Sequence, residues 1–440
     1  MTGSGLARRA SYGPGSPVVG VRGASTRQQI VEGTLKLFAE VGYFDASVDA
    51  IAKSVNISRA TLYQYFRGKE EIYDELLDEC GRALVRVVRR LGPLGPTEVG
   101  FDNLNWWIDE WSWVFEKYST MFIQWMTVTA AEPEIRNDVE RFAGKYTHLV
   151  AERIAKSGVA GLDSFAAAVT ITALVHRMNL FIHTGRVYGR SRKSVVDAVS
   201  VHLQLFLFPE TSLSVLRSLV LSEPDFAPIT IPPCPRTNGL SIQDRTRGLN
   251  RRPTATIHAL LDAGAVRFRR DGYHRTRVGD IVREAGFARG TFYKYFDEKQ
   301  DMFLTLSVEA SRISLEHAEQ LQSIRLTATS ESGLREWIAS FMSFVRYYAG
   351  SLEAWTDTRT EAVAPLNDYT RATMDSALRA MLSGAEREYP FDPTLAGIMV
   401  RALIGRLPQA ANEVAPSLSH QQVVDLVVAF IDRGVLSTPS

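Results

Sequence analysis

The sequence predicts an all-α protein made of two tandem units, each a helix-turn-helix head followed by a longer helical body. Three observations predict it. The stretch Ser58-Arg59-Ala60-Thr61-Leu62-Tyr63-Gln64-Tyr65-Phe66, closed by Lys69, returns as Arg289-Gly290-Thr291-Phe292-Tyr293-Lys294-Tyr295-Phe296, closed by Lys299, at a constant offset of 230 residues. Apolar residues recur at three and four in segment after segment, the period of a helix packed on one face. A proline-rich segment separates the two copies. Gly42–Tyr73 and Gly272–Phe303 align without a gap and agree at ten of 32 positions, and an internal repeat of that length means two copies of one domain.

Composition narrows the class. A chain of 440 residues is too long for one ordinary domain, and 45% apolar residues suffice for sizeable cores. The net charge is +1, so nucleic-acid binding would need a local basic surface rather than a global excess. Two cysteines, Cys80 and Cys234, make neither a disulfide framework nor a metal cluster and fit a reducing cytoplasm. No apolar run approaches the roughly 18–20 residues of a membrane span, so no membrane partner is expected. Arg8 and Arg9 precede no apolar core, which argues against a secretory signal. Paired carboxylates, a glycine-rich phosphate loop, a Cys/His metal set and a nucleophile elbow are all missing. The sequence therefore points away from an enzyme, and no catalytic residue, metal ligand or cofactor is assigned.

Residues 1–24, rich in Gly, Ser, Pro and Arg, read as a disordered arm whose Arg8 and Arg9, with Arg22 and Arg27, could touch phosphate. Residues 25–84 form the first head. Ile30, Thr34, Leu37, Phe38 and Val41 line one helix face, and Gly42 ends that helix. Ser47 caps a short helix over 48–55 and Ser58 caps a second one through Tyr65. Asn56 makes the turn between them, a residue that tolerates positive φ. This is the helix-turn-helix plan. On the second short helix Leu62 and Phe66 face the core, which leaves Arg59, Thr61, Tyr63, Gln64 and Tyr65 for base edges and phosphates. Lys69 opens a long helix to about Arg90, at an N-terminus that favours phosphate.

Residues 85–208 form the first body, entered through Gly-Pro-Leu-Gly-Pro at 92–96. Five of the seven tryptophans fall between Trp106 and Trp125. Trp107 and Trp111 share one helix face and Trp106 and Trp113 another, so this helix is expected to be buried on two sides. Two readings stand: core packing, or the wall of an apolar cavity lined by Trp107, Trp111, Phe115 and Trp125. Helices follow near 134–157, 164–184 and 194–208. His176 and His183 read as core or interface histidines. Residues 209–249, with six prolines, form a linker that holds a short helix near 213–221. The second head occupies 250–308 and the second body 309–440. That body repeats an aromatic stripe in Trp337, Phe341, Phe344 and Tyr348, to which Trp355 adds a further candidate cavity residue. Its helices lie near 366–388, 393–411 and 419–434. Residues 251–303 hold eleven Lys/Arg against seven Asp/Glu, whereas 26–73 hold six of each. The second head is expected to bind phosphate more strongly at low salt.

Gly-Tyr, an Ile-centred short helix, then Thr-[Leu/Phe]-Tyr-x-Tyr-Phe with Lys three residues on resembles the DNA-binding domain of TetR-family transcriptional regulators. The likeness covers about 50 residues in each half. It implies that each helical segment behind a head is a regulatory domain that binds an effector and pairs through its last two helices. The double length is similar to that of actinobacterial regulators of this family, including the repressor of a mycobacterial mammalian-cell-entry operon that serves lipid uptake. By this resemblance Ser47, Ser58, Arg59, Thr61, Tyr63, Gln64, Tyr65 and Lys69 contact DNA, as do Arg277, Arg289, Thr291, Tyr293, Lys294, Tyr295 and Lys299. Gln64 becomes Lys294, Ser47 becomes Arg277 and Ala60 becomes Gly290, so the two heads are expected to read unequal half-sites of a double-stranded operator.

The expectation is thus a cytoplasmic DNA-binding regulator, a repressor, associated with the nucleoid when bound. Its two bodies pair within one chain through helices near 164–208 and 393–434, as a monomeric pseudo-dimer open to further self-association. A small apolar effector, a lipid or steroid derivative, releases it. The alternative keeps the fold and makes one head an interaction module.

Overall fold

Among the described residues twenty α-helices follow one another and no strand occurs. The computed structural model describes residues 21–217, 229–237, 239–324, 326, 331–354, 363–383 and 392–436. In the first repeat these are α1 (Val21–Val41), α2 (Val48–Ser54), α3 (Arg59–Tyr65), α4 (Lys69–Arg89), α5 (Glu98–Lys117), α6 (Ser119–Ala131), α7 (Pro133–Ala155), α8 (Ser164–His183) and α9 (Arg192–Leu207). Two short helices, α10 (Leu213–Arg217) and α11 (Ile242–Thr246), lie between the repeats. The second repeat holds α12 (Arg251–Asp271), α13 (Val278–Glu284), α14 (Arg289–Tyr293), α15 (Lys299–Leu321), α16 (Glu331–Tyr347), α17 (Ala349–Ala354), α18 (Ala364–Ser383), α19 (Pro393–Val414) and α20 (His420–Ala429), closed by a π-helical turn, Phe430–Val435. Helix α1 starts at Val21, a turn earlier than the apolar period indicates. The arm's Arg8 and Arg9 lie outside the described residues.

The chain divides into two units. The first joins the residues up to Arg89 with Trp111–Phe142, and the second joins Arg90–Glu110 with everything from Ala143 onward. In the first unit Ile30, Phe38, Ile51, Leu62, Phe66 and Ile72 form a closed core beneath α1–α4. The Tyr43 ring packs against Phe38 at 5.5 Å and Tyr73 at 5.1 Å. Helix α6 meets α1 through Gln124, whose Oε1 accepts from Tyr43 N at 2.9 Å while its Nε2 donates to Phe38 O at 2.7 Å.

The second unit is organised around α8, which lies along α19; α18 packs on both α15 and α19, and α9 runs against the π turn. Helix α8 overturns the expectation that no segment is long and apolar enough to cross a membrane, since it passes by length and composition. Within that window 72% is buried in the protein, so its apolar character serves helix packing. Close approach at α9 depends on Gly434, where a Cβ would sit 2.7 Å from His202 O. His202 Nδ1 donates to Gly434 O at 2.7 Å, and Arg433 gives hydrogen bonds to the last carbonyls of α9, Phe206 O at 2.9 Å and Leu207 O at 3.2 Å. The α8–α9 turn adds a polar latch. Tyr188 OH donates to the wholly buried Asp375, which also takes the Arg401 guanidinium, and Arg190 pairs with Asp392, the N-cap of α19.

Candidate nucleic-acid interface

Helices α2 and α3 are each started by a hydroxyl. Ser47 Oγ accepts from Ala50 N at 3.1 Å, and Ser58 Oγ accepts from Thr61 N at 3.0 Å. Between them Asn56 takes φ 55°, and Ile57 N donates to Ala52 O at 3.0 Å. The second head makes the same turn with Gly286 at φ 73°. Where Ser47 becomes Arg277 the cap is reversed: Asp280 Oδ2 accepts from Arg277 N at 3.2 Å, so the Arg277 guanidinium is not spent on capping. Where Ser58 becomes Ala288 there is no side-chain cap, and α14 runs five residues against seven in α3.

Helices α3 and α14 have the same inside and outside. Leu62 and Phe66 are wholly buried, as is Phe292, and Phe296 is 1% exposed. Arg59, Tyr63 and Gln64 are exposed and Thr61 and Tyr65 half-buried; Arg289, Tyr293, Lys294, Thr291 and Tyr295 follow in the same classes. Ser47, Ser58 and Arg277 are exposed as well. Each arginine lies along the tyrosine one turn on. Arg59 donates to Tyr63 OH at 3.2 Å with its guanidinium carbon 5.4 Å from the ring, and Arg289 donates to Tyr293 OH at 3.4 Å with 5.8 Å to the ring. Arg59 is further held by Asp49 at 3.3 Å, and the hydrogen bond to Tyr63, then the Asp49 carboxylate, raise its already high pKa. The equivalent position in the second head is Gly279, so Arg289 has no carboxylate partner among the described residues.

Three cations stand elsewhere than the sequence suggests. Lys69, expected on phosphate, is half-buried and gives its three N–H groups to Tyr43 O at 2.8 Å, Phe44 O at 3.2 Å and Ala46 O at 3.2 Å. Lys299 does the same with Tyr273 O at 2.7 Å, His274 O at 3.4 Å and Thr276 O at 3.0 Å. Both ammoniums sit over a tyrosine ring, Tyr43 at 4.6 Å and Tyr273 at 4.4 Å, and burial lowers both pKa values. An ammonium has three donors, and here all three are committed to closing the loop before α2 or α13. Arg27 is only 7% exposed; it donates to Tyr65 O at 2.8 Å and pairs with Glu75 at 2.8 Å. It therefore holds the end of α3 from inside.

The aromatic residues expected along a cavity are packed on one another. In the first unit Trp111, Phe115 and Phe122 stack at 4.8–5.9 Å. Trp107, 1% exposed, belongs to the second unit, and its indole N–H is buried without a hydrogen-bond partner among the described residues. Trp337, Phe341 and Phe344 stack at 5.1 and 5.5 Å around His317, and Trp337 Nε1 donates to His317 O at 2.9 Å. Helix α5 is not covered on both faces: Trp113 is 54% exposed, and Trp106 lies half-exposed under Arg90 at 5.3 Å. The Trp125 side chain and Trp355 lie outside the described residues.

Residues 30–76 and 260–306 each match the profile of bacterial regulatory proteins of the tetR family. The chain is similar to the biofilm operon icaADBC HTH-type negative transcriptional regulator IcaR of Staphylococcus epidermidis, 41% identical over 54 residues that cover 12% of this chain and 29% of that protein. It is also similar to the IcaR of Staphylococcus aureus, 29% identical over 119 residues that cover 27% of this chain and 58% of the relative. The chain thus spans less than two thirds of the length of these curated relatives.

Proposed function

We propose, starting from a tetR-family regulatory protein that carries two of the family's domains in one chain, that this molecule is a transcriptional repressor whose two heads read the unequal halves of one operator. One observation carries the reading: α3 and α14 bury the same two apolar positions and present Arg59, Tyr63 and Gln64, or Arg289, Tyr293 and Lys294, outward. Gln64 suits adenine, while Lys294 suits guanine or phosphate, so the half-sites differ. The named relatives are negative transcriptional regulators, which supports repression. Direct packing of α8 on α19 and of α9 on the π turn supports pairing of the two bodies within one chain, so that a monomer acts as a pseudo-dimer. The reading places the protein in the cytoplasm, on the nucleoid when bound.

Release by an apolar lipid- or steroid-like effector belongs to the same reading, as does the likeness to double-length actinobacterial regulators. The indole N–H of Trp107, buried without a hydrogen-bond partner among the described residues, supports it, since it would take a ligand carbonyl or hydroxyl. Each head is joined to body helices through short contacts, Gln124 on the end of α1 and Gly350 of α17 against the Phe268 backbone, so a shift of either body helix would move its head. A ligand acts by binding one head spacing better than the other.

Footprinting with Arg59→Ala and Arg289→Ala tests the DNA reading. Each is expected to lose protection over a different half of the site. Loss with Arg289→Ala alone would leave the first head an interaction module, and loss with neither would reject these helices as readers. A panel of sterol and acyl compounds that left DNA affinity unchanged would reject the effector.

A further inference from the structure

The first head holds the C-terminal end of its reading helix with an arginine from its own first helix. Arg27 Nη1 donates to Tyr65 O at 2.8 Å, Nη2 pairs with Glu75, and the guanidinium lies 4.0 Å from the Phe66 ring. At the repeat offset the second head has Ile257, which cannot do this. The vacancy is filled from outside the repeat. Arg245, on the inter-repeat helix α11, donates through Nη1 to Tyr295 O at 3.1 Å and through Nε to Thr305 Oγ1 at 2.7 Å, pairs through Nη2 with Asp301, and lies 5.0 Å from the Phe296 ring. Carbonyl and ring are the equivalents of those that Arg27 holds. Only the arginine and its carboxylate come from new places in the chain. Glu71 in the first head accepts from Arg67 N at 2.7 Å and Glu75 takes the arginine; in the second head Asp301 does both, accepting from Asp297 N at 3.1 Å.

We propose that Arg245 is a positioning residue for DNA reading by the second head, and that α11 belongs functionally to that head rather than to the tether between the repeats. The inference rests on the DNA-binding reading of α14. The segment is built for the purpose. Ser241 caps α11 by accepting from Asp244 N at 3.0 Å, and Asp244 in turn accepts from Ser241 Oγ at 2.8 Å and from Gly239 N at 3.2 Å. Gly248, at φ 74°, then turns the chain into α12. The second reading helix needs the support more than the first. It lacks the Ser58 cap, carries Gly290 where the first has Ala60, and is shorter, so less of its order is local. Arg245 keeps its guanidinium inside, with a side chain 14% exposed, so its effect on DNA runs through α14 and not through phosphate.

The full-length protein is tested on a duplex that the wild type selects from a random library. Failure of the wild type to enrich any duplex would reject the DNA reading itself. Given such a duplex, Arg245→Ala is expected to lose protection over one half of the footprint, the half lost with Arg289→Ala. Its affinity should fall about tenfold, and the salt dependence should flatten to the slope that Arg289→Ala gives, because the second head's phosphate contacts go with its half of the site. Arg27→Ala should lose the other half, and Arg245→Lys should restore most of the affinity. Full protection by Arg245→Ala, or a loss spread evenly over both halves, overturns the proposal. If Arg245→Ala fails to fold, Asp301→Asn decides: it keeps an acceptor for Asp297 N and weakens only the pair with Arg245. A several-fold loss confined to the same half supports the assignment, and a wild-type footprint overturns it.

Discussion

Lys69 and Lys299 show what a cation does when three backbone carbonyls converge on it. Each sits 23 to 26 positions from the carbonyls it holds, over the ring of the tyrosine that follows the helix-ending glycine. Replacing Lys69 with Met keeps much of the stem and removes the donors. We expect a loss of about 2 kcal/mol in urea unfolding, from carbonyls left unsatisfied in a half-buried place, with no change in the salt slope of DNA binding. A slope that fell by about one would return Lys69 to the phosphate contacts. Asp74 gives a pH test. Partial burial of its carboxyl, then its neighbours Asp138, Asp78, Glu134 and Glu71, push its pKa up to about 6 from 3.8. The folded protein thus holds this proton more tightly than the unfolded chain. The stability from it is full below the unfolded value and is lost as pH rises through about 6. Asp74→Asn should therefore melt higher than the wild type at about pH 7.5 and show a shallower fall in melting temperature from about pH 5 upward. Equal slopes for the two proteins would remove Asp74 as the cause.

At the scale of the element, the turn before α3 and before α14 is the sensitive place. Asn56 and Gly286 both occupy the left-handed region, which a β-branched residue enters only with strain. Asn56→Gly should be close to neutral, whereas Asn56→Val should cost about 1–2 kcal/mol and weaken DNA binding by the first head. Denaturant midpoints of the two variants check this, and equal midpoints would mean the turn relaxes. The same local chemistry explains how the repeat tolerates its differences. Ser47→Arg277 survives because Asp280 three residues on accepts the backbone N–H, and Asn56→Gly286 because both residues reach positive φ. The loss of the Ser58 cap has no side-chain replacement at Ala288, whereas the loss of Arg27 at the other end of α14 is met by Arg245 from another element.

At the scale of the molecule, the apolar mass of α8 and α19 and the contact of α9 with the π turn hold the second unit together. The backbones of α9 and the π turn approach closely at Gly434, so Gly434→Val forces them apart and strips the hydrogen bonds from His202 and Arg433. We expect a loss of about 2 kcal/mol and a larger hydrodynamic radius, read by urea unfolding and gel filtration. An unchanged midpoint would show that the pairing does not depend on this contact.

Residues within four positions of one another decided much of what this chain is. Helix periods, serine caps, left-handed turn residues and the buried pair Leu62 and Phe66 all follow from local steric and hydrogen-bonding rules, and a repeat doubles the evidence for each. Only the tertiary structure decided where the charge went. Lys69, Lys299 and Arg27 look like phosphate ligands in one dimension, yet groups distant in sequence meet them in three and take up their donors. Arg245 looks like linker and is part of a head, because its partners lie 50 to 60 positions away and no period or offset points to it. The two aromatic faces of α5 and the apolar run of α8 are the same case: composition states how much surface wants covering, and only packing states what covers it.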